Sequence, residues 1–574
     1  MPSSCAGPFP AHMADLQDLW RQGKLRQCSP ERPTPLSGSA SAPALPASAD
    51  YLNALFKRFI GRLTATERRD LKVWIEDGLS HELDLGTMCS GTDGPVLVWQ
   101  AFGHVAEHLL GARLRIKHHF SCEKKPAKQQ FIMQMFDVPF VFEDCCELQG
   151  KTASECRSQT KQPVPDVAVL LAGFPCTDVS SLNRLGNTPE TRSCIGRADL
   201  RTGAVFAAIC QHINAHKSQM QFIILENVCA LARPPKEGNT ITGPDNLSVV
   251  VHQLGVICDC WTKVFVLDPR LFGVPQCRPR LWLLAIPRKG LCEAGLDSAA
   301  ADKCASDIMQ RLAGGQLASL DDYLLHEQHP LVRQEARQAE VTTLMREGKM
   351  EEALLASGGV MPKRPRRQAA STSKWPSRHI AQFEAQGFEW WSRTWPSDAT
   401  LIVFPGLYAL APRQFEILKL MGITEFPERE PRSVDLSQTV GRSRVAEGFV
   451  HTLTPTGQKY LTHRCRFLHG VESLRLQSLW FDADAVGPFG DSLLRDLAGN
   501  AFEGSCCAAS VLVCCTLAAK VFASRLPLED MDHCCAEKKK SCISECPPPS
   551  HPPLMMVQKR RRRTTCKRWV PIAS

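Results

Sequence analysis

No stretch of the chain approaches the ~18 unbroken apolar residues that a membrane span needs. No charged segment followed by an apolar one opens it as a secretory leader would. These absences lead us to expect a soluble protein that works inside the cell and has no membrane partner. No internal repeat is visible at periods of about 20 to 50 residues, which argues against solenoids and propellers. The GxGxxG fingerprint of dinucleotide-binding enzymes is also missing. Net charge is modest for the length, since 68 Lys and Arg against 59 Asp and Glu leave +9 over 574 residues.

Cysteine, by contrast, is plentiful at 26. Without a leader these thiols are expected to stay reduced and to behave as small hydrophobes. Many sit as pairs inside apolar runs, as in "SCCAASVLVCC" at 505 to 515. The run "HCCAEKKKSCISEC" (533 to 546) lacks a clean CxxC pair on each side, so no structural metal is expected there. The positive charge is clustered, in "KRPRR" at 363 to 367, "EKKK" at 537 to 540, and "KRRRR" at 559 to 563 followed by Lys567 and Arg568. Such runs suit phosphate neutralisation or nuclear import, and a solvated tail has the same composition.

Along the chain the character changes several times. Residues 1 to 50 are rich in Pro, Ser and Ala and are expected to be disordered. Residues 51 to 80 carry apolar side chains at helical spacing. From 81 to 290 short apolar strands alternate with helices: "ELDLGTMCSG", "IKHHFSCE", "FVFEDCCEL", "DVAVLLAGFPC", "QFIILENVCAL", "KVFVLDPRLFGVP" and "RLWLLAIP". That alternation predicts a doubly wound, mostly parallel α/β sheet, with its chemistry just past the carboxyl ends of the strands. Residues 291 to 445 lose the pattern, are more polar, and bring Trp375, Trp390, Trp391 and Trp395 close together, so they read as a second region inserted or appended. Residues 446 to 525 include one long apolar helix expected from 491 to 523, and 526 to 574 form a Cys-, Pro- and Arg-rich tail expected to be disordered.

The strand ends carry the chemistry. "LDLGTMCSGTDGP" (83 to 95) is a strand running into a loop where Gly91 and Gly94 let backbone approach a ligand. The second strand ends at Glu123, placed to hold the hydroxyls of a ribose, and the third at Glu143 and Asp144, placed to accept from an adenine amino group. The fourth delivers Pro175 and Cys176, a thiol positioned as a nucleophile. The fifth delivers Glu226 and Asn227, and after "FGVP" come Gln276, Arg278 and Arg280 at alternate positions, which puts both arginines on one face of an extended segment.

These segments, in this order, resemble the cytosine-5 DNA methyltransferase family: the Pro-Cys loop, the Glu-Asn-Val strand end, the Gln-x-Arg-x-Arg segment, and Gly499-Asn500 of "AGNAF". "GRADLRTGAVF" (196 to 206), "HTLTPTG" (451 to 457) and "CRFLHGVESLRLQ" (465 to 477) are similar to the connecting stretches of the family. The resemblance covers about 81 to 290 and 445 to 520. It implies a Rossmann-like S-adenosylmethionine-dependent methyltransferase sheet, with 291 to 445 as the smaller target-recognition region. Thr177 and Val179 depart from it, standing where the family usually has Gln and an aromatic, and the first loop lacks the usual aromatic-x-Gly-x-Gly start.

By resemblance Cys176 would add to C6 of a flipped cytosine in double-stranded DNA, Glu226 would hold or donate the proton at N3, and Arg278 and Arg280 would bind the base and a phosphate while favouring the thiolate. Gly91, Thr92, Asp93, Glu123, Asp144 and Asn500 would line the S-adenosylmethionine site, with Asn500 beginning the last helix and bringing the C-terminal segment back onto the helix after the first strand. Nuclear residence follows from the basic runs and the implied substrate. Two rival readings keep the fold: an RNA methyltransferase, since the family includes a member acting on transfer RNA, and a catalytically silent nucleic-acid-binding protein, against which the joint presence of Cys176, Glu226 and both arginines argues.

Overall fold

The computed structural model describes residues 48–526, apart from 181–190, 198, 235, 238–239, 242, 347, 360–374, 388–409 and 424–425. The basic runs, the Cys-rich tail segment and Trp390, Trp391 and Trp395 lie outside the described residues.

All seven apolar stretches of the N-terminal half form strands of one sheet. The helical lead supplies α1 (Ser48–Gly61) and α2 (Ala65–Val73), the latter opened by a capping box between Thr64 and Glu67. Then follow β1 (Glu82–Met88), α3 (Gly94–Leu110), β2 (Arg115–Cys122), α4 (Pro126–Met135), β3 (Phe140–Phe142), β4 (Val169–Ala172), α5 (Arg201–His216), β5 (Phe222–Val228), α6 (Asn246–Val256), β6 (Cys260–Leu267) and β7 (Arg280–Pro287). The spatial order is β3-β2-β1-β4-β5-β7-β6. Every pairing from β3 to β5 is parallel, and β7 runs antiparallel to both of its neighbours. The chain reverses its direction of travel across the sheet between β1 and β4, and that switch point opens a crevice at the carboxyl ends of these strands.

The unbroken apolar runs of β4, β5 and β7 have a simple cause: both faces of the sheet are covered. Val169 and Leu171, Phe222 and Ile224, and Trp282 and Leu284 point into one core. Their alternates Leu170 and Ala172, Ile223 and Leu225, and Leu281 and Leu283 point into the other, against Phe206, Ile209 and Leu254 of α5 and α6. The first core is built round the C-terminal helix.

That C-terminal segment differs from expectation in two ways. It is two helices, α11 (Asp491–Asn500) and α12 (Gly504–Ala523), because Ala501 turns extended and the Glu503 carboxylate caps the new helix by accepting from the Ser505 and Cys506 amides. Asn500 therefore closes a helix and does not open one. The segment Asp491–Ala523 is also apolar and long enough to cross a membrane by length and composition, yet 78% of its most apolar window is buried inside the protein. Here the paired cysteines Cys506, Cys507, Cys514 and Cys515 serve as core side chains, packed where α12 meets α1, α2, α3 and α7 (Ser298–Leu312). As expected, the C-terminal segment returns to the helix after the first strand.

Further helices, α8 (Pro330–Arg346), α9 (Pro412–Leu420) and α10 (Gly470–Arg475), accompany a small antiparallel sheet of Arg432–Asp435, Val445–Glu447, Lys459–Leu461 and Arg466–Phe467. A third apolar cluster, from Phe383 through Ile417 and Val434 to Tyr460 and Phe467, holds this sheet to α9 and draws residues from both sides of position 445.

Candidate active site

A cavity of about 710 Å³ lies over the switch point, and residues from the ends of β1 to β5, the segment before β7 and the end of α11 line it. Of the residues singled out in the sequence it collects Gly91, Glu123, Asp144, Cys176, Glu226, Arg278, Arg280 and Asn500. Thr92 and Asp93 do not reach it.

Those two are fully buried behind the first loop and shape it. Asp93 adopts a left-handed conformation at the start of α3, and its carboxylate accepts from Thr87 Oγ1 at 2.6 Å and from Ser121 Oγ. Burial raises its pKa against the opposing pull of His118. The loop they shape presents Gly91 at φ +59°, a conformation that costs glycine nothing, and the Gly91 amide donates to Glu123 Oε2 at 3.1 Å. The other carboxylate oxygen of Glu123 accepts from the Lys125 amide at 2.9 Å. Asp144 accepts from the Cys146 amide and from Lys124 Nζ, both at 3.0 Å. Burial works against its charge, but these donors hold its carboxyl below the usual carboxylate range.

Past β4, the Cys176 carbonyl accepts from the Val179 and Ser180 amides, closing a turn that holds the half-buried thiol over the cavity. Two side chains anchor this turn, Asn227 at the end of the fifth strand and Asp178, which the sequence did not mark. Asn227 Nδ2 donates to the Phe174 carbonyl at 3.0 Å, tying the Pro-Cys loop to the end of β5, and Asp178 accepts from the Thr202 amide at 2.8 Å, placing a carboxylate at the N-terminus of α5. The "LENV" spelling put Asn227 beside Glu226, but nothing in it disclosed the bond. Val179 packs against the second core, so its side chain is used for anchoring.

Burial raises the pKa of Glu226, while Arg280 and Arg278 pull it back down. Its Oε1 lies 3.3 Å from Arg280 Nε. Burial likewise raises the Cys176 thiol, with Arg280 the strongest opposing influence and Glu226 adding to the rise. A cysteine, a carboxyl and a guanidinium thus share one pocket, in which the guanidinium opposes the effect of burial on the other two.

Arg278 is placed otherwise than its alternate spacing with Arg280 implied. Its terminal nitrogens donate to the carbonyls of Leu453 at 3.0 Å, Gly499 at 3.3 and 3.2 Å, and Ala501 at 3.0 Å. Burial lowers its pKa to about 9, so the guanidinium stays charged at neutral pH. Next to it Gln276 and Cys277 pair in parallel with Val450 and His451. Arg278 therefore binds the chain to itself, fastening the C-terminal segment over the sheet. At Gly499 a Cβ would come within 2.3 Å of the Pro455 nitrogen, so only glycine allows this approach. Asn500 follows, its Nδ2 donating to the Asp496 carbonyl and carboxylate, and Lys125 and Lys128 reach the same Asp496 from α4. Four cysteines that sequence reading had set aside as hydrophobes, Cys89, Cys122, Cys145 and Cys146, also line the cavity.

Among curated proteins, a DNA (cytosine-5-)-methyltransferase DMT5 of Cryptococcus neoformans is 29% identical over 236 residues, 41% of this chain and 9% of that protein. DMT5 of Verticillium dahliae is 22% identical over 489 residues, 75% of this chain and 19% of that protein. The type II methyltransferase M.NgoBV of Neisseria gonorrhoeae is 26% identical over 164 residues, 29% of this chain and 33% of the relative. The chain thus spans under a fifth of the length of the two fungal relatives. The profile of the C-5 cytosine-specific DNA methylases matches residues 88–390, more than half of the chain and the stretch that delivers Cys176, Glu226 and Arg280 to the cavity, and the chain belongs to that family.

Proposed function

We propose that this protein transfers a methyl group from S-adenosylmethionine to C5 of a cytosine flipped out of duplex DNA, and that it does so in the nucleus. The observation that carries the reading is the convergence of Cys176, Glu226 and Arg280 with Gly91 and Glu123 on one cavity. The residues present fit the cofactor: Gly91 leaves the loop open where a side chain would project towards Asn500, and Glu123 offers a carboxylate at the end of β2, the position suited to a ribose. Gly91, Glu123, Asp144 and Asn500 would hold it, with Thr92 and Asp93 bracing the loop. When bound, it supplies an electrophilic methyl group on a sulfonium.

C5 of cytosine is a poor nucleophile, and the protein's task is to change that. The Cys176 thiolate adds to C6, and the electron pair displaced towards N3 is met by a proton from Glu226, whose burial keeps it protonated above the usual carboxylate range. The ring now carries nucleophilic character at C5. After methylation, C5 loses its proton to a base, the C5–C6 double bond reforms, the Cys176 sulfur departs as thiolate and the N3 proton returns to Glu226. Arg280 acts twice, easing thiolate formation and holding Glu226 towards the base. Arg278, spent on three carbonyls, is a positioning residue.

The test is transfer of radiolabelled methyl from S-adenosylmethionine to unmethylated duplex DNA and, in parallel, to transfer RNA, with wild type and Cys176→Ala. Label in DNA that requires Cys176 supports the reading. Label in RNA alone would keep the chemistry and change the substrate, and binding of DNA without label in either would point to a silent binding protein.

A further inference from the structure

The cavity holds a second constellation, which shares Asp144 with the proposed cofactor site and adds cysteines that methyl transfer does not use. Oxygen and sulfur atoms of Asp144, Cys145 and Cys146 all lie within 4.8 Å of one another. Cys89 stands on the neighbouring glycine loop, whose Ser90 amide donates to the Cys122 carbonyl at the end of β2. All four residues open onto the same cavity, where Cys146 is exposed and Cys89 half-buried. Elsewhere the adjacent cysteine pairs of α12 are sealed in the core, so this cluster differs in being reachable from solvent.

We propose that Cys89, Asp144, Cys145 and Cys146 form a site for a thiophilic divalent cation of the zinc class, set in the adenosine end of the cofactor cleft. Three sulfurs and one carboxylate oxygen make up a four-coordinate donor set of the kind zinc accepts. Each ligating thiol gives its proton to solvent as its sulfur–metal bond forms, and no oxidant or reductant takes part. Lys124 beside Asp144 offsets part of the negative charge that three thiolates bring.

Asp144 cannot serve the metal and an adenine amino group together, so the cation and S-adenosylmethionine exclude each other. This exclusion rests on the cofactor reading above; the metal site does not.

The experiment titrates the full-length, reduced protein with Cd²⁺ alone, following the ultraviolet cadmium–thiolate absorption, in wild type, in Cys145→Ser/Cys146→Ser and in Cys89→Ser. Wild type is expected to take up about one equivalent more than the double variant, with Cys89→Ser weakening that equivalent by about tenfold or more, and Zn²⁺ should displace it. The thiols outside the cleft, including those of the tail, are common to all three proteins and cancel. Equal uptake by wild type and both variants overturns the site. Saturating S-adenosylmethionine should abolish the extra equivalent, and cofactor binding measured by calorimetry in chelator should show a fully functional cleft. If the cofactor binds and the extra cadmium remains, the overlap is overturned. If the cofactor does not bind in chelator while the cadmium difference persists, the reading of the cleft fails and the metal site stands.

Discussion

The two halves of the cleft meet at the switch point and are built on different plans. Past β1, β2 and β3, the carboxylates are held by backbone amides and one lysine: Asp144 by the Cys146 amide and Lys124, Glu123 by the Lys125 and Gly91 amides. Past β4, β5 and the segment before β7, long-range side-chain contacts hold the site together: Asn227 reaches Phe174, Arg280 reaches Glu226, and Arg278 reaches Leu453, Gly499 and Ala501. The first half is a set of turns at the strand ends, whose donors hold the Asp144 carboxyl below the usual carboxylate range against the effect of burial. In the second, burial raises the Glu226 carboxyl and the Cys176 thiol, and Arg280 opposes both. The difference teaches that the first half is set by turns at the strand ends, whereas the second needs partners that only folding can bring.

Substitutions can break the second half while sparing the first. Cys176→Ala removes the nucleophile and should lower methyl transfer by at least about 10³-fold, with cofactor affinity by calorimetry little changed. Arg278→Leu leaves the carbonyls of Leu453, Gly499 and Ala501 without their donor, at about 1 to 3 kcal/mol each. The expected result is a melting temperature lower by several degrees together with weaker cofactor binding, since Gly499 and Asn500 lose their anchor. Weaker cofactor binding with an unchanged melting temperature would show that Arg278 contacts the ligand itself.

Glu226→Gln should reduce turnover by about 10²-fold, and its pH profile sharpens the comparison. Burial raises both Glu226 and Cys176 above their ordinary values, and the reacting pair is protonated carboxyl with thiolate. Wild-type kcat/KM should rise with pH up to the Glu226 value as thiolate accumulates. Between the two values the gain in thiolate and the loss of protonated carboxyl cancel, and above the Cys176 value activity falls. Glutamine donates a hydrogen bond at every pH, so the variant should go on rising until the Cys176 value and then level off. A wild-type plateau that survives in Glu226→Gln would remove Glu226 as the proton source.

Smaller effects are expected at the turn that carries the thiol. Asn227→Ala frees the Phe174 carbonyl and should cost about tenfold in kcat, with KM for the cofactor unmoved. Asp178→Ala removes the carboxylate from the start of α5 and should cost about 1 kcal/mol or less by denaturant unfolding.

Much of the fold could be read in advance because it rests on short-range pattern. Seven apolar runs bounded by turn residues became seven strands of one sheet, and the mostly parallel order followed from the helices between them. The long C-terminal helix was misread because a run of apolar residues cannot show that Glu503 will cap a fresh helix inside it. The family resemblance puts Thr92 and Asp93 at the cofactor, but the left-handed backbone at Asp93 turns its carboxylate inward to Thr87 and Ser121.

By itself the sequence determined which residues stand at the strand ends, since alternation and turn chemistry act over a few residues, and so it delivered Cys176, Glu226, Glu123 and Asp144 to one edge of one sheet. Tertiary structure alone decided what each of them is worth. Whether a guanidinium meets a substrate or three carbonyls, whether a carboxyl keeps its proton, and whether four cysteines are core or cleft all depend on desolvation and on partners as many as 223 residues away. Those forces act through space, and no local pattern encodes them.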